Sequence, residues 1–174
     1  MISLAMLPLK EVEEDANKLR LGFLPIYFPG YLSGTMLLQK VTIGESVRKI
    51  GSHAFAGANN LESVLLPNTL ESIGKFAFFG CSSLQVIDLP ESISSIEDKA
   101  FGRTGLISFS IPDTLYSLGR GALGNCTSLE SVVLSQRITE IADSTFYGCK
   151  SLKSLSHSYT VFSIYHLVPY YRIP

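Results

Sequence analysis

The sequence has few cysteines, no excess of either charge, no basic block and no long apolar run. Each shortage closes a class of explanation. Cys81, Cys126 and Cys149 form no C-x-x-C pair and no Cys/His ligand cluster, and an odd count fits no closed disulfide framework. The 14 basic and 15 acidic residues nearly cancel and no basic stretch occurs, so there is no electrostatic footprint for nucleic acid. No stretch approaches the about 18 uninterrupted apolar residues of a membrane helix, although 46% of residues are hydrophobic. The N-terminal "MISLAMLPLKEVEED" lacks a basic n-region, and acidic residues follow its short apolar run at once. The expectation is a chain not exported by that route, or a segment of a longer protein.

The most suggestive short motif is Gly119-Arg120-Gly121-Ala122-Leu123-Gly124, which reads G-x-G-x-x-G, with Glu140 downstream. In a dinucleotide-binding protein these glycines cradle a pyrophosphate between a strand and a helix. A repeat explains them differently. Stacked at Val41, Val64, Ile87, Phe109, Val132 and Leu155, the chain repeats at intervals of 23, 23, 22, 23 and 23 residues. One apolar column holds Val47, Leu70, Ile93, Leu115 and Ile138. A second holds Ile50, Ile73, Ile96, Leu118 and Ile141. A third holds Phe55, Phe78, Phe101, Leu123 and Phe146, and a fourth Leu61, Leu84, Leu106, Leu129 and Leu152. The last is the strand pair, such as Ile87 with Leu89. In this register Gly119 shares a column with Gly51 and Gly74, and Gly124 is aligned with Gly57, Gly80, Gly102 and Gly148. Only Gly121 is peculiar to its copy, where the others hold His53, Phe76, Lys99 and Ser144. No buried strand leads into the motif and no long helix leaves it, so the glycines are read as turn residues.

Five full copies cover residues 38 to 154. Their pattern, L-x-x-(V/I)-x-(L/I)-P-x-x-(L/I)-x-x-I-G-x-x-A-F-x-x-C, is carried almost whole by "LQVIDLPESISSIEDKAF" at 84 to 101. A 23-residue period falls in the leucine-rich-repeat range, and the pattern resembles the BspA-like leucine-rich repeats of surface proteins. The resemblance implies an α/β-type solenoid: a right-handed coil with a parallel β-sheet on its concave side and a mostly irregular or short-helical convex side.

The flanks read as worn copies. Leu24, Tyr27, Leu32, Gly34 and Leu38 fall in register on one side, and Val161 and Ile164 on the other, before Pro169 breaks the pattern. The solenoid is thus expected over 24–164, between an N-terminal cap at 1–23 and a C-terminal cap or tail at 165–174. Leu9, Val12, Ala16 and Leu19 share one helical face, which predicts a short amphipathic helix over 9–19.

In each coil the alternation sends residues such as Val64 and Leu66 inward and Ser63 and Leu65 outward. Neighbouring coils complete the core, and Pro67, Pro90 and Pro112 end the strands because proline has no N–H for the ladder. The phenylalanines should stack inside as a column. Cys81, Cys126 and Cys149 share a column with Ala58 and read as small buried hydrophobes, with a Cys126–Cys149 bridge conceivable on oxidation. His53, His157 and His166 have no ligand spacing. Asn125-Cys126-Thr127 is a formal glycosylation sequon, discounted because it overlaps the inward cysteine column.

The outward face of the first strand should carry Lys40 and Thr42, Ser63 and Leu65, Val86 and Asp88, Ser108 and Ser110, Ser131 and Val133, and Ser154 and Ser156. A flat, nearly uncharged face with Leu65, Val86 and Val133 as apolar points suits a protein or glycan ligand. No titratable pair is assembled there, which makes an enzyme the weakest reading, and no metal or cofactor is called for. The leading expectation is a non-catalytic interaction module. The resemblance implies surface display or secretion and adhesion, with extracellular-matrix or host cell-surface proteins as ligands. The alternative is a structural spacer or assembly unit of a larger protein.

Overall fold

The computed structural model describes residues 10–11, 18–21, 38–138 and 141–157, with backbone alone at 10–11, 18–21 and 157. Ten strands follow one another: β1 (Lys10–Glu11), β2 (Lys18–Leu21), β3 (Lys40–Ile43), β4 (Lys49–Ile50), β5 (Ser63–Leu65), β6 (Ser72–Ile73), β7 (Ser95–Ile96), β8 (Ser108–Ser110), β9 (Ser131–Leu134) and β10 (Ser154–His157). The result is a parallel-sheet solenoid of about five turns. Strands β2, β3 and β5 pair in parallel, as do β8, β9 and β10. Val41 faces Val64 and Phe109 faces Val132 in register, so within each sheet the inward side chain sits on its counterpart one coil away.

A second, narrower parallel sheet joins β4, β6 and β7, and the Ile96–Leu118 bridge continues it into the fourth coil. At Ile50-Gly51 and Ile73-Gly74 the short strand ends on the isoleucine and a turn follows. The apolar columns meet in a single core. Phe55, Phe78 and Phe101 stack nearly face to face at 5.1 and 5.3 Å, tilted by 7° and 5°. Each is fully buried, worth about 1.5–3 kcal/mol of transfer free energy.

The described residues contain no helix, and this corrects the expectation of helical pieces on the far side of the coil. Hydrogen bonding supplies the reason. In the first coil Ala54, Ala56 and Ala58 donate to carbonyls three residues back, forming tight turns. Between them His53, Phe55 and Gly57 donate outward, to Lys75, Ala77 and Phe79 of the next coil, at 2.7–2.9 Å. Alternate N–H groups are therefore committed to the neighbouring coil and cannot bond four residues back, as a helix requires. The alternation depends on left-handed residues four apart: His53 and Gly57, Phe76 and Gly80, Lys99 and Arg103, Gly121 and Asn125, Ser144 and Gly148, with φ from 54° to 78°.

That spacing also corrects one alignment. Arg103 and Asn125, not Gly102 and Gly124, share the column of Gly57, Gly80 and Gly148. The third coil is one residue short after Thr104, and Gly105 takes up the slack, since a Cβ there would lie 2.1 Å from the Ser82 carbonyl oxygen.

The expected helix over 9–19 is not found where the chain is described. Lys10–Glu11 and Lys18–Leu21 are antiparallel strands, and β2 continues in parallel onto β3. An open β3 edge would expose unpaired N–H and C=O groups, and the strand Lys18–Leu21 pairs with them along the ladder. The flank positions Leu24, Tyr27, Leu32, Gly34, Val161, Ile164 and Pro169, the tail 165–174, His166 and Glu140 lie outside the described residues.

Candidate functional site

The broadest regular surface is the outward side of the first strands. Inward residues Val41, Ile43, Val64, Ile87, Phe109, Val132 and Leu155 are all buried. The outward residues alternate with them. Lys40, Ser63, Leu65, Val86, Asp88, Ser108, Ser110, Val133 and Ser154 are exposed, while Thr42, Ser131 and Ser156 are half-buried. Register aligns them in two columns. Lys40 lies beside Ser63 and Thr42 beside Leu65; further along, Ser108, Ser131 and Ser154 form one line and Ser110, Val133 and Ser156 the other.

These residues do not all share one sheet. Residues 85–89 alternate in burial like the other strands but are not paired as one, so β5 and β8 belong to separate sheets. Val86 and Asp88 occupy the segment between. The apolar points Leu65 and Val86 are 64% and 56% exposed. Val133 is 38% exposed, and a fourth, Ile107, is 42% exposed and was not anticipated. Its signal was available: the same column holds Gln39, Glu62, Gln85, Glu130 and Lys153, so an isoleucine there is out of place. Charge on this face is sparse and partly cancelled, with Lys153 Nζ 3.1 Å from Glu130.

The opposite surface is packed with its own partners. His53 stacks on Phe76 at 4.9 Å, Lys99 Nζ lies 5.5 Å from the Phe76 ring, and Arg103 lies over Phe79. The glycines of the G-x-G-x-x-G motif belong to this side. A Cβ on Gly119 would come within 2.4 Å of the Asp98 nitrogen, and Gly121 takes the left-handed turn at φ 62° beneath the Lys99 side chain. Backbone contact and turn geometry account for both without a nucleotide. Asp98 bridges coils here. Its carboxylate accepts the Arg120 N–H at 2.9 Å and pairs with Lys75 at 3.3 Å, and these partners hold it below the ordinary carboxylate value.

The three cysteines are free and fully buried. Each thiol donates to a carbonyl of the preceding coil: Cys81 to Phe55 at 3.2 Å, Cys126 to Phe101 at 3.1 Å and Cys149 to Leu123 at 3.1 Å. Burial pushes the Cys81 thiol up to about 12. The neighbouring Cys126 thiol and burial push the Cys149 thiol up. Among the described residues no three of His, Cys, Asp or Glu come together as a metal site. Nor is any helix there long and apolar enough to cross a membrane.

A family model described as BspA type leucine-rich repeat region matches six copies over residues 31–153. Among solved structures, a leucine-rich repeat protein of T. pallidum is 27% identical, with a TM-score of 0.71 over 89% of this chain and 85% of that one. A leucine-rich repeat protein from Bacteroides ovatus is 21% identical, with a TM-score of 0.63 over 83% of this chain and 48% of its own. The pneumococcal vaccine antigen PcpA is 24% identical, with a TM-score of 0.62, and this chain spans 34% of its length. No curated protein sequence matches.

Proposed function

Because this chain belongs to the BspA-type leucine-rich repeat family, we propose that it is a non-catalytic interaction module that binds a protein or glycan through the outward face of its first strands. The observation that carries this reading is the exposure of Leu65, Val86 and Val133 on a face whose other outward residues, apart from Lys40 and Asp88, are serine and threonine, with Ile107 exposed just before its strand. Exposed aliphatic side chains in contact with water gain free energy when a partner covers them, and small hydroxyls let that partner approach closely. A structurally similar protein of Faecalibacterium prausnitzii is described as a leucine-rich cell surface protein, which favours surface display or secretion and an adhesive role toward matrix or cell-surface molecules.

The test is binding of the purified monomer to an array of matrix proteins and glycans, beside a variant carrying Leu65→Glu and Val133→Glu. Both side chains are exposed, so the variant should fold. Binding lost in the variant, with an unchanged melting curve, supports the reading. Binding retained moves the site elsewhere on the coil. Absence of binding by either, with a mass that rises with concentration, favours a spacer or assembly unit.

A further inference from the structure

We propose that Cys126 and Cys149 form a disulfide that ties the fourth coil to the fifth, leaving Cys81 as a free thiol. The column explains the choice of partner. Its successive members are Ala58, Cys81, Thr104, Cys126 and Cys149. Only the last two are cysteines in adjacent coils, because Cys81 has Ala58 on one side and Thr104 on the other. Stacked coils in parallel register stand about 4.8 Å apart, inside the about 4.4–6.8 Å window of Cα separations that disulfides use. The β8–β9–β10 register fixes that stacking on either side of the pair.

The side chains are aimed alike. Both thiols donate to the carbonyl of the corresponding residue one coil earlier, at 3.1 Å. The column's γ atoms are close enough to touch, since Thr104 Oγ1 lies 3.1 Å from Cys126 Sγ. Formation costs two weak thiol-to-carbonyl hydrogen bonds. Those carbonyls keep other donors: Phe101 O also accepts the Thr104 hydroxyl, and Leu123 O accepts the Cys126 N–H.

The oxidant is a small disulfide. One cysteine thiolate attacks oxidised glutathione, forming a mixed disulfide and releasing one glutathione thiolate. The second cysteine thiolate then attacks the protein sulfur of that mixed disulfide, closing the bridge and releasing the second glutathione. The protein loses two hydrogens, and the glutathione disulfide is reduced to two thiols.

The reduced, unfolded full chain is refolded in a glutathione redox buffer, quenched in acid, alkylated in denaturant and mapped by mass spectrometry. Refolding gives the oxidant access before the thiols are buried. The expected product is two mass units lighter, carries one alkylated cysteine at Cys81 and yields a cross-linked Cys126–Cys149 peptide. Loop length alone favours that bridge over Cys81–Cys126 by about threefold, so the expected excess is well above threefold and falls to that ratio when oxidation is done in denaturant. C81S should bridge like the parent, and the bridged form should melt higher than the reduced one. Three alkylated cysteines, a stable glutathione adduct on Cys126 or Cys149, or a mixture of bridges in the loop-length ratio would each overturn the proposal.

Discussion

The ring of Phe109 lies 5.2 Å from that of Phe101, turned edge-on at 60°, at the point where the phenylalanine stack gives way to Leu123. The fourth coil has exchanged sizes between two columns. It places a leucine where Phe55, Phe78, Phe101 and Phe146 stand, and a phenylalanine where the strand column holds Val41, Val64, Ile87 and Val132. Both residues are buried, and the volume lost at one is supplied by the other.

The exchange predicts strong coupling. Phe109→Val should cost about 2–4 kcal/mol by opening a cavity, and Leu123→Phe about 1–3 kcal/mol by overpacking. The double variant, which restores the ordinary repeat, should be more stable than the sum by at least about 1 kcal/mol. Urea unfolding of the four proteins measures this, and additive losses would show that the two sites are independent.

Two threonines at equivalent positions should respond oppositely to the same change. Thr69 Oγ1 donates to the carbonyls of Glu45 and Val47 at 2.6 and 3.1 Å. Thr114 Oγ1 is buried without a hydrogen-bond partner. Replacing Thr69 by valine should cost about 1 kcal/mol, whereas Thr114→Val should be neutral or stabilising by about 1 kcal/mol. Thermal melts of the two variants against the parent decide it.

The left-handed column offers a third comparison. Ser144 holds φ 62° with a side chain and Gly121 holds the same angle without one. Ser144→Gly relieves about 1–2 kcal/mol of backbone strain against about 0.5–1 kcal/mol of added chain entropy, for a net gain of a few tenths to about 1 kcal/mol. Gly121→Ala should lose more than about 0.5 kcal/mol. Chemical denaturation gives both signs, and an unstable Ser144→Gly would overturn the strain argument.

Asp98 predicts an acid-side effect. Its folded pKa is lowered below the ordinary 3.8, first by the Arg120 N–H and then by Lys75. The stabilisation is therefore fully present above about 3.8 and fades as pH falls through the lower folded value. Because the side chain is 40% exposed, solvent screens the ion pair and the effect is small. Asp98→Asn should be less stable than the parent at pH 6 and converge with it near pH 2, by thermal melts across that range.

Core columns were legible in the sequence because burial constrains one side chain per coil, and a repeat prints that constraint every 23 residues. Hence Leu61, Leu84, Leu106, Leu129 and Leu152 are all buried as read. The second sheet was less so. Its inward column Ile50, Ile73 and Ile96 reads as core, but the pairing of Lys49–Ile50, Ser72–Ile73 and Ser95–Ile96 is made by backbone groups that leave no further side-chain signature. The left-handed positions hid because Arg103 and Asn125 fill turns that glycine fills elsewhere, while Gly102 and Gly124, one residue earlier, drew the alignment to themselves. At the N-terminus the spacing of Leu9, Val12, Ala16 and Leu19 fits a helix, but register with Lys40–Ile43 imposes a strand at Lys18–Leu21. On the candidate face the alternation was readable and the split between the two sheets was not.

The third coil shows where this architecture tolerates a change of length. Its missing residue falls after Thr104, and Gly105 draws so close to Ser82 that no side chain fits. Before the gap Ser95–Ile96 pairs with Ser72–Ile73, and after it Ser108–Ser110 pairs with Ser131–Val133. A gene drifting through single-codon losses would find most of each coil closed to deletion, because the slip would turn a strand's apolar side toward solvent. The corner before the buried leucine is open, on condition that glycine takes the crowded place. Length and composition at that corner must therefore change together, and a 22-residue repeat elsewhere in such a coil should carry a glycine at the same step.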